Sequence, residues 1–281
     1  MVLKLTTLTE NTAGRSDVLA EHGLSILVEA NGARVLLDTG QTITAMHNAR
    51  ALGVDLGRLD AVVLSHGHGD HTGGLKEVLR EVARRGQTVP VVAHPAAWTA
   101  RYAVREGEAP RFSGLPHRQE ELEALGGRFR FAGGSVEVAP GIFTTGEVPR
   151  TTPFERLDAA LKVRDGSGWR QDDIPDDQAL VVQTKNGLVV VLGCAHSGIV
   201  NTLLHARRLA GDDRIYAVVG GTHLGFASKE QLDETVRALK GFGIRRLGVS
   251  HCTGLKAAAR LSQEFGDAFF FNNAGSVVEL E

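Results

Sequence analysis

Six consecutive residues, His66-Gly67-His68-Gly69-Asp70-His71, constrain this chain more than any other feature. They put three imidazoles and a carboxylate in one short loop, between a strand-like run (Ala61 to Leu64) and a helix-like one (Leu75 to Ala83). Neutral imidazoles with a carboxylate suit borderline divalent ions, zinc first, with iron and manganese next. Turning several side chains toward one point predicts unusual backbone angles at Gly67 and Gly69, which glycine adopts at little steric cost. The plain alternative is an incidental histidine tract on the surface. The regular spacing, set between two well-patterned elements, favours a built metal site.

Around that loop the chain reads as alternating short elements. Runs rich in Val, Ile and Leu predict strands at Leu24–Glu29, Arg34–Leu37, Ala61–Leu64, Val89–Ala93, Ser135–Val138, Ala179–Thr184, Leu188–Leu192, Ile215–Val219 and Leu247–Ser250. Asn31-Gly32 and Lys185-Asn186-Gly187 separate neighbouring runs and predict hairpins. Helical spacing covers Ile43–Leu52, Leu75–Arg85, Gln119–Leu125, Ile199–Leu209, Lys229–Phe242 and Leu255–Phe265. Ser228 with Gln231 reads as a capping box, and Gly241 and Gly243 as the end of the helix between. Two connections are long, Trp98 to Gly127 and Arg150 to Asp177. The second is polar and suggests no core element; long ordered loops of this kind often cover a site.

Composition narrows the function classes. A chain of 281 residues with 42% hydrophobic residues can bury a substantial core. The net charge of −2 gives no electrostatic case for nucleic acid. Arg101, Arg105, Arg111, Arg118, Arg128 and Arg130 cluster, but five glutamates interleave with them. That segment reads first as a solvated face and second as a phosphate-binding patch. The start, Met1-Val2-Leu3-Lys4, lacks the features of a signal peptide, and no stretch has the roughly 20 apolar residues that cross a bilayer. Two cysteines, Cys194 and Cys252, are too few for a disulfide scaffold, so a cytoplasmic location is expected.

Leu64-Ser-His-Gly-His-Gly-Asp-His-Thr-Gly-Gly-Leu75 resembles the signature of the metallo-β-lactamase superfamily, and the resemblance extends along nearly the whole chain. It implies an α+β fold, a four-layer αββα sandwich, as one domain over residues 1–281 with metals at one edge. It also implies two divalent ions, zinc first. His66 and His68 match ligands of one metal, and Asp70, His71 and His251 those of the other. His196 is the best remaining ligand for the first. His196, His223 and His251 each follow a strand-like run beside glycine or serine, so all three can meet the His66 loop at one sheet edge.

The chain also departs from that pattern. Most relatives bridge the metals with an aspartate where this chain has Gly193-Cys194. Cys194 is a soft ligand there or, the preferred reading, a small buried hydrophobe. No histidine matches the third motif; Glu147, in Thr145-Gly-Glu-Val-Pro-Arg150, takes that slot as a ligand or substrate contact, or is simply a loop carboxylate. His223 is read as a substrate contact or proton donor, or as a hydrogen-bonded strand-end residue. His22 reaches substrate from the first loop, or is exposed. Asp38 matches an aspartate that braces the metal loop. Cys252, pointing away from His251 if the backbone is extended, is assigned no chemistry.

A finer resemblance joins Ala20-Glu-His-Gly-Leu-Ser25, Thr145-Gly-Glu-Val-Pro-Arg150, Gly193-Cys-Ala-His-Ser-Gly198, Gly220-Gly-Thr-His-Leu224 and Ser250-His-Cys-Thr-Gly254 to the dihydropterin–ribofuranosylaminobenzene phosphate synthase-like subfamily. It implies a small phosphorylated or pterin-like substrate; the charge balance and the lack of a long apolar stretch speak against nucleic acid and membrane as partners. The expected activity is hydrolysis by a metal-activated water oriented by Asp70, with His223 as the second catalytic group. The alternatives are the synthase reaction itself, joining a dihydropterin pyrophosphate to a ribofuranosylaminobenzene phosphate, and a non-catalytic, metal-stabilised ligand-binding protein.

Overall fold

Alternating apolar side chains make each strand one-faced or two-faced, and here they stack four layers. The computed structural model describes residues 3–280; Met1 and Val2, where the signal-peptide reading begins, lie outside them. Among the described residues, one seven-stranded sheet runs in the order Val277–Leu280, Leu3–Thr9, Ser25–Ala30, Ala33–Leu37, Ala61–Val63, Val89–Ala93, Gly127–Phe131. The other runs Phe269–Phe271, Arg246–Ser250, Ile215–Gly221, Gly187–Leu192, Ala179–Thr184, Ile142–Thr144, Glu137–Ala139. Leu5, Ile26, Val28, Val35 and Val63 of the first sheet pack against Leu180, Val182, Val189, Val191 and Val219 of the second. Each such side chain contributes about 1.5–3 kcal/mol by leaving water.

The outer faces are covered by helices. Ala45, Leu75, Val78, Leu79 and Leu122 close the first sheet, and Ile199, Leu203, Val236, Leu239 and Leu261 the second. The result is the αββα sandwich. Central strands are therefore buried on both sides, which is why Gly187–Leu192 is a run of Leu and Val without polar alternation. Asn31 (φ 57°) and Gly32 (φ 80°) form the expected tight hairpin turn, and Ser228 Oγ accepts the Gln231 N–H at 3.2 Å.

The six expected helices are present with ends within a residue or two. Several strands were not anticipated, and the two long connections differ most from expectation. Arg101–Ala103 and Arg111–Phe112 come from one connection, Leu161–Asp165 and Gly168–Gln171 from the other. They pair into a four-stranded sheet beside the sandwich. Strands of two to five residues among charged neighbours carry no readable alternation, so only their pairing reveals them. Arg101 is also not part of a solvated face: it is 1% exposed, with Nε 2.8 Å from Asp172 Oδ2 and Nη2 2.5 Å from Asp176 Oδ1.

Candidate metal centre

Parallel pairing brings the chemistry to one edge. Ala33–Leu37 runs parallel to Ala61–Val63, so Asp38 and the His66 loop leave neighbouring strand ends together. In the second sheet Gly187–Leu192, Ile215–Gly221 and Arg246–Ser250 are also mutually parallel. Cys194, His196, His223 and His251 follow those three strands.

The His66 loop is held by its neighbours' carboxylates and carbonyls. Gly67 N–H donates to Asp176 Oδ2 at 2.7 Å, and Asp176 is clamped by Arg101. The glycines of this motif are not in the left-handed region, contrary to expectation. Gly67 is required for space instead, because a Cβ there would lie 1.9 Å from the Ala97 carbonyl oxygen. A short helix, Gly69–Thr72, then sends Asp70 and His71 in different directions.

Among the described residues four overlapping groups of potential ligands converge, two of them built on Cys194 (with His66 and His71, and with His223 and Cys252) and two without sulfur. His66, His68 and His196 form the first, with His66 and His196 Nε2 atoms 3.2 Å apart and the three rings 4.6–4.9 Å from one another. Asp70, His251 and His22 form the second; Asp70 Oδ2 lies 3.3 Å from His251 Nε2 and 3.1 Å from His22 Nε2. His71 Nε2 lies 3.3 Å from His251 Nε2, beside this group. Sequence reasoning placed His22 at the substrate; the structure puts it against Asp70 as well.

Backbone strain and buried braces fix these positions. Asp38, Ala195, His223 and His251 all have φ between 51° and 57°, a conformation that costs non-glycine residues of order 1 kcal/mol or more and concentrates at working sites. Asp38 Oδ2 accepts from Ser65 Oγ at 2.6 Å and lies 2.6 Å from His71 Nδ1, the bracing expected of it. His251 N–H donates to Glu10 Oε1 at 2.6 Å, and its Nδ1 is 2.8 Å from Asn11 Oδ1. The His196 turn is held by Asp177, which accepts the Ser197 N–H at 2.8 Å, and by Arg150, which donates to the His196 carbonyl at 2.8 Å. Glu10, Asn11, Arg101, Arg150, Asp176 and Asp177 escaped the sequence reading. The one signal was the acidic run Asp172-Asp173-Ile-Pro-Asp176-Asp177 inside a stretch expected to be a loop.

The electrostatics of the two groups differ. Burial and neighbouring imidazoles hold His66 and His196 well below the usual histidine range, and burial pushes His68 down to about 3. These three are neutral at pH 7. Burial opposes charge on His71 too, but Asp38 and Asp70 outweigh it and push the imidazole up to about 9. Burial would raise Asp70; His71, His22 and His251 outweigh it and keep the carboxyl well below its ordinary range. Among the described residues the buried His68 Nε2 atom has no hydrogen-bond partner. Uncharged, buried imidazoles whose Nε2 atoms converge fit a divalent cation, which gives a partner to a nitrogen such as His68 Nε2 that otherwise carries a desolvation cost.

The remaining expectations divide. His223 stands over the first group, its ring 4.2 Å from that of His196, and among the described residues neither ring nitrogen has a hydrogen-bond partner. Glu147 does not reach the centre: its side chain is 60% exposed and pairs with His94 at 3.0 Å, because its loop turns outward beside Gly133. Cys194 does reach it, with Sγ 3.1 Å from His71 Nε2. Cys252 does not point away. His251 at φ 51° turns the chain rather than extending it, and Cys252 lines the same cavity and accepts the His223 N–H at 3.2 Å.

A cavity of about 580 Å³ opens over both groups. Arg105, Arg111, Phe112 and Phe226 form part of its wall, the first three from the small sheet region. Phe112 and Phe226 are 47% and 59% exposed.

This combination defines a class of protein: two sheets flanked by helices, with a histidine-rich centre at the shared strand-end edge. Residues 19–154 match the model of the metallo-β-lactamase superfamily, and the chain belongs to that family. It is a metal-dependent enzyme of the metallo-β-lactamase fold. It is 33% identical to the 7,8-dihydropterin-6-methyl-4-(β-D-ribofuranosyl)-aminobenzene-5′-phosphate synthase of Methanocaldococcus jannaschii, over 99% of this chain and 97% of that protein. A second, uncharacterized protein of the same organism is 32% identical over 97% of this chain and 98% of its own length. Among solved structures, a metal-dependent hydrolase of the β-lactamase superfamily superposes with a TM-score of 0.82 at 29% identity, covering 99% of this chain and 98% of that one. No helix among the described residues is long and apolar enough to cross a membrane.

Proposed function

We propose that this chain, acting as one metallo-β-lactamase-like domain in the cytoplasm, is a dinuclear metal-dependent hydrolase of a small phosphorylated or pterin-like substrate. His66, His68 and His196 hold one cation, zinc in the first instance; Asp70, His71 and His251, joined by His22, hold the other. The carrying observation is the pair of converging ligand groups on the floor of a cavity whose wall includes two arginines and two exposed aromatic rings. Cations bound there supply Lewis acidity, polarising a phosphoryl oxygen and bringing the pKa of water toward neutrality.

The chain's own groups do the rest. Arg105 and Arg111 attract and orient a phosphate, and Arg111 is suited to bidentate hydrogen bonding. Phe112 and Phe226 offer faces for a planar ring. Asp70, held ionised, accepts a hydrogen bond from the attacking water and so orients it. Burial works against charge on His223, but Cys252, Asp158 and Asp177 outweigh it and raise its pKa, which suits a proton donor to the leaving oxygen. His223 Nε2 lies 4.0 Å from Asp158 Oδ2, close enough for the carboxylate to favour the imidazolium.

The relative named as a synthase favours a second reading, in which the same centre helps a diphosphate leave as two substrates join. Metal-loaded protein assayed against phosphomonoesters, phosphodiesters and pterin diphosphates separates the two. Turnover of single substrates, lost on chelation and in His66→Ala, supports the hydrolase; a pterin–arene product formed only with both substrates supports the synthase. Full activity in His66→Ala would overturn both. The expected loss is at least the roughly 10²–10³-fold that removing one preorganised electrostatic contact costs.

A further inference from the structure

We propose that Asn11 is a positioning residue that sets the tautomers of His22 and His251 in opposite senses. His251 is left with a bare Nε2 for the second cation, while His22 carries its hydrogen on Nε2, donates it to Asp70 and stays out of the coordination. This rests on the dinuclear reading above and deepens it: His22 joins the second group through the carboxylate and not through the metal. The segment that carries Asn11 is tied to both rings. Glu10 accepts the Thr12 N–H at 2.7 Å and the His251 N–H at 2.6 Å, so the turn and the strand end hold together. On the other side, Leu24 N–H donates to the Asp70 carbonyl at 3.3 Å. A Cβ at Gly23 would lie 2.3 Å from that carbonyl oxygen, so only glycine lets the His22 loop lie against it.

The positions of the hydrogens follow from one fixed donor. The backbone N–H of Gly23 can only donate, and it meets Asn11 Oδ1 at 3.2 Å, so that atom is the oxygen and the amide cannot be turned over. Oδ1 has lone pairs and no hydrogen, and His251 Nδ1 lies 2.8 Å from it; the hydrogen of that contact belongs to His251 Nδ1. The other end of the amide is an NH2 group, 3.4 Å from His22 Nδ1. A hydrogen on that ring nitrogen would face the amide hydrogens, so His22 Nδ1 is bare and the hydrogen sits on Nε2. The far side of the ring agrees, because Nε2 lies 3.1 Å from Asp70 Oδ2, which accepts it. The bare His251 Nε2 is 3.3 Å from the same oxygen, two acceptors that a cation between them would satisfy. Asp38 sets His71 in the sense that Asn11 sets His251, with Nδ1 2.6 Å from a carboxylate oxygen. A carboxamide can accept from one ring and donate to another; a carboxylate cannot. The second site therefore has three protein donors, Asp70, His71 and His251, and keeps a position for water or substrate. A fourth protein ligand would close it, as in structural metal sites.

Magnetic resonance of isotope-labelled histidine ring nitrogens in the full, metal-free chain reads the tautomers directly under mildly alkaline conditions. The expected result is a hydrogen on Nε2 of His22 and on Nδ1 of His251. Asn11→Asp keeps the shape of the side chain but replaces the NH2 group with an acceptor. His22 Nδ1 should then gain a hydrogen, while His251 keeps its own. With cadmium loaded in place of zinc, nitrogen–cadmium coupling should reach His251 but not His22 in the wild-type protein, and should extend to His22 in Asn11→Asp. A hydrogen on His22 Nδ1 in the wild-type protein, or a His22 ring unmoved by Asn11→Asp, would overturn the inference. So would coupling of cadmium to His22 in the wild-type protein, which would leave the dinuclear reading intact. A chain that binds no cadmium would overturn the dinuclear reading, and the metal-free tautomers would still decide the part played by Asn11.

Discussion

His66, His68 and His196 meet as three buried, uncharged imidazoles, whereas Asp70, His22 and His251 meet around an ionised carboxylate with a protonated His71 alongside. The first group is uncharged, its His66 and His196 Nε2 atoms in contact at 3.2 Å, and among the described residues His68 Nε2 has no hydrogen-bond partner. The second has already balanced its charge, because the Asp38 and Asp70 carboxylates hold a proton on His71. A cation entering the first group relieves a standing cost. A cation entering the second must displace a proton. On the proposed function these seven side chains form two sites of unequal readiness: Asp176 and Arg101 stand behind the first and Asp38 behind the second, while Ser65 Oγ, 2.8 Å from His66 Nδ1 and 2.6 Å from Asp38 Oδ2, joins the two supports.

The largest expected effect comes from breaking the support of the first group. Arg101→Met leaves Asp172 and Asp176 buried without their partner, which should destabilise the fold by about 3–5 kcal/mol. Denaturant unfolding measures it, and a loss under 1 kcal/mol would show that the Gly67 loop does not depend on the clamp. Asp38→Ala strikes the other side. Removing this kind of support for a ligating histidine typically weakens metal binding about 10- to 100-fold. Competitive chelator titration should show that loss in the second cation and a smaller one in the first, carried through Ser65 to His66; equal weakening of both would erase the distinction between the groups.

The pH dependence sharpens the comparison further. With His71 near 9 and the first group neutral, binding of the second cation should strengthen by up to about tenfold per pH unit above pH 7 and level off near pH 9, the first hardly at all. Calorimetry in buffers of different ionisation enthalpy counts the protons released. For the metal-free protein the two groups act in opposite senses. The raised His71 adds stability that is complete below pH 6.5 and lost as pH rises through about 9. The lowered His66, His68 and His196 add stability that is present above pH 6.5 and lost as pH falls below it. Melting temperature should therefore peak near pH 6.5 without metal, and metal should remove the alkaline decline. The smallest effect concerns substrate: Arg105→Ala with Arg111→Ala should raise KM for a phosphorylated substrate about tenfold, with a smaller change in kcat.

The comparison also explains what could be read from sequence. Residues that work in one local stretch, such as His66 to His71, and those that end long apolar strands, such as His196 and His251, carry their own signal. So do the helices, whose 3.6-residue spacing fixes both position and buried face. What stayed hidden depends on partners distant in the chain. Arg101 looks like any surface arginine until Leu161–Asp165 pairs with its strand and brings Asp172 and Asp176 to it. Cys252 looks turned away until His251 adopts a left-handed φ, and Gly67 looks like a hinge until Ala97 is placed behind it. Cys194 was readable as a departure from the family pattern, but its aim toward His71 follows from the bend at Ala195.

The most direct test of the two-group centre is a crystal structure of zinc-loaded protein with anomalous data collected at the zinc edge. The account predicts two peaks per chain, one among His66, His68 and His196 and one beside Asp70, His71 and His251, with the second fading first as the crystals are moved to lower pH. A single peak, or two that fade together, would contradict it.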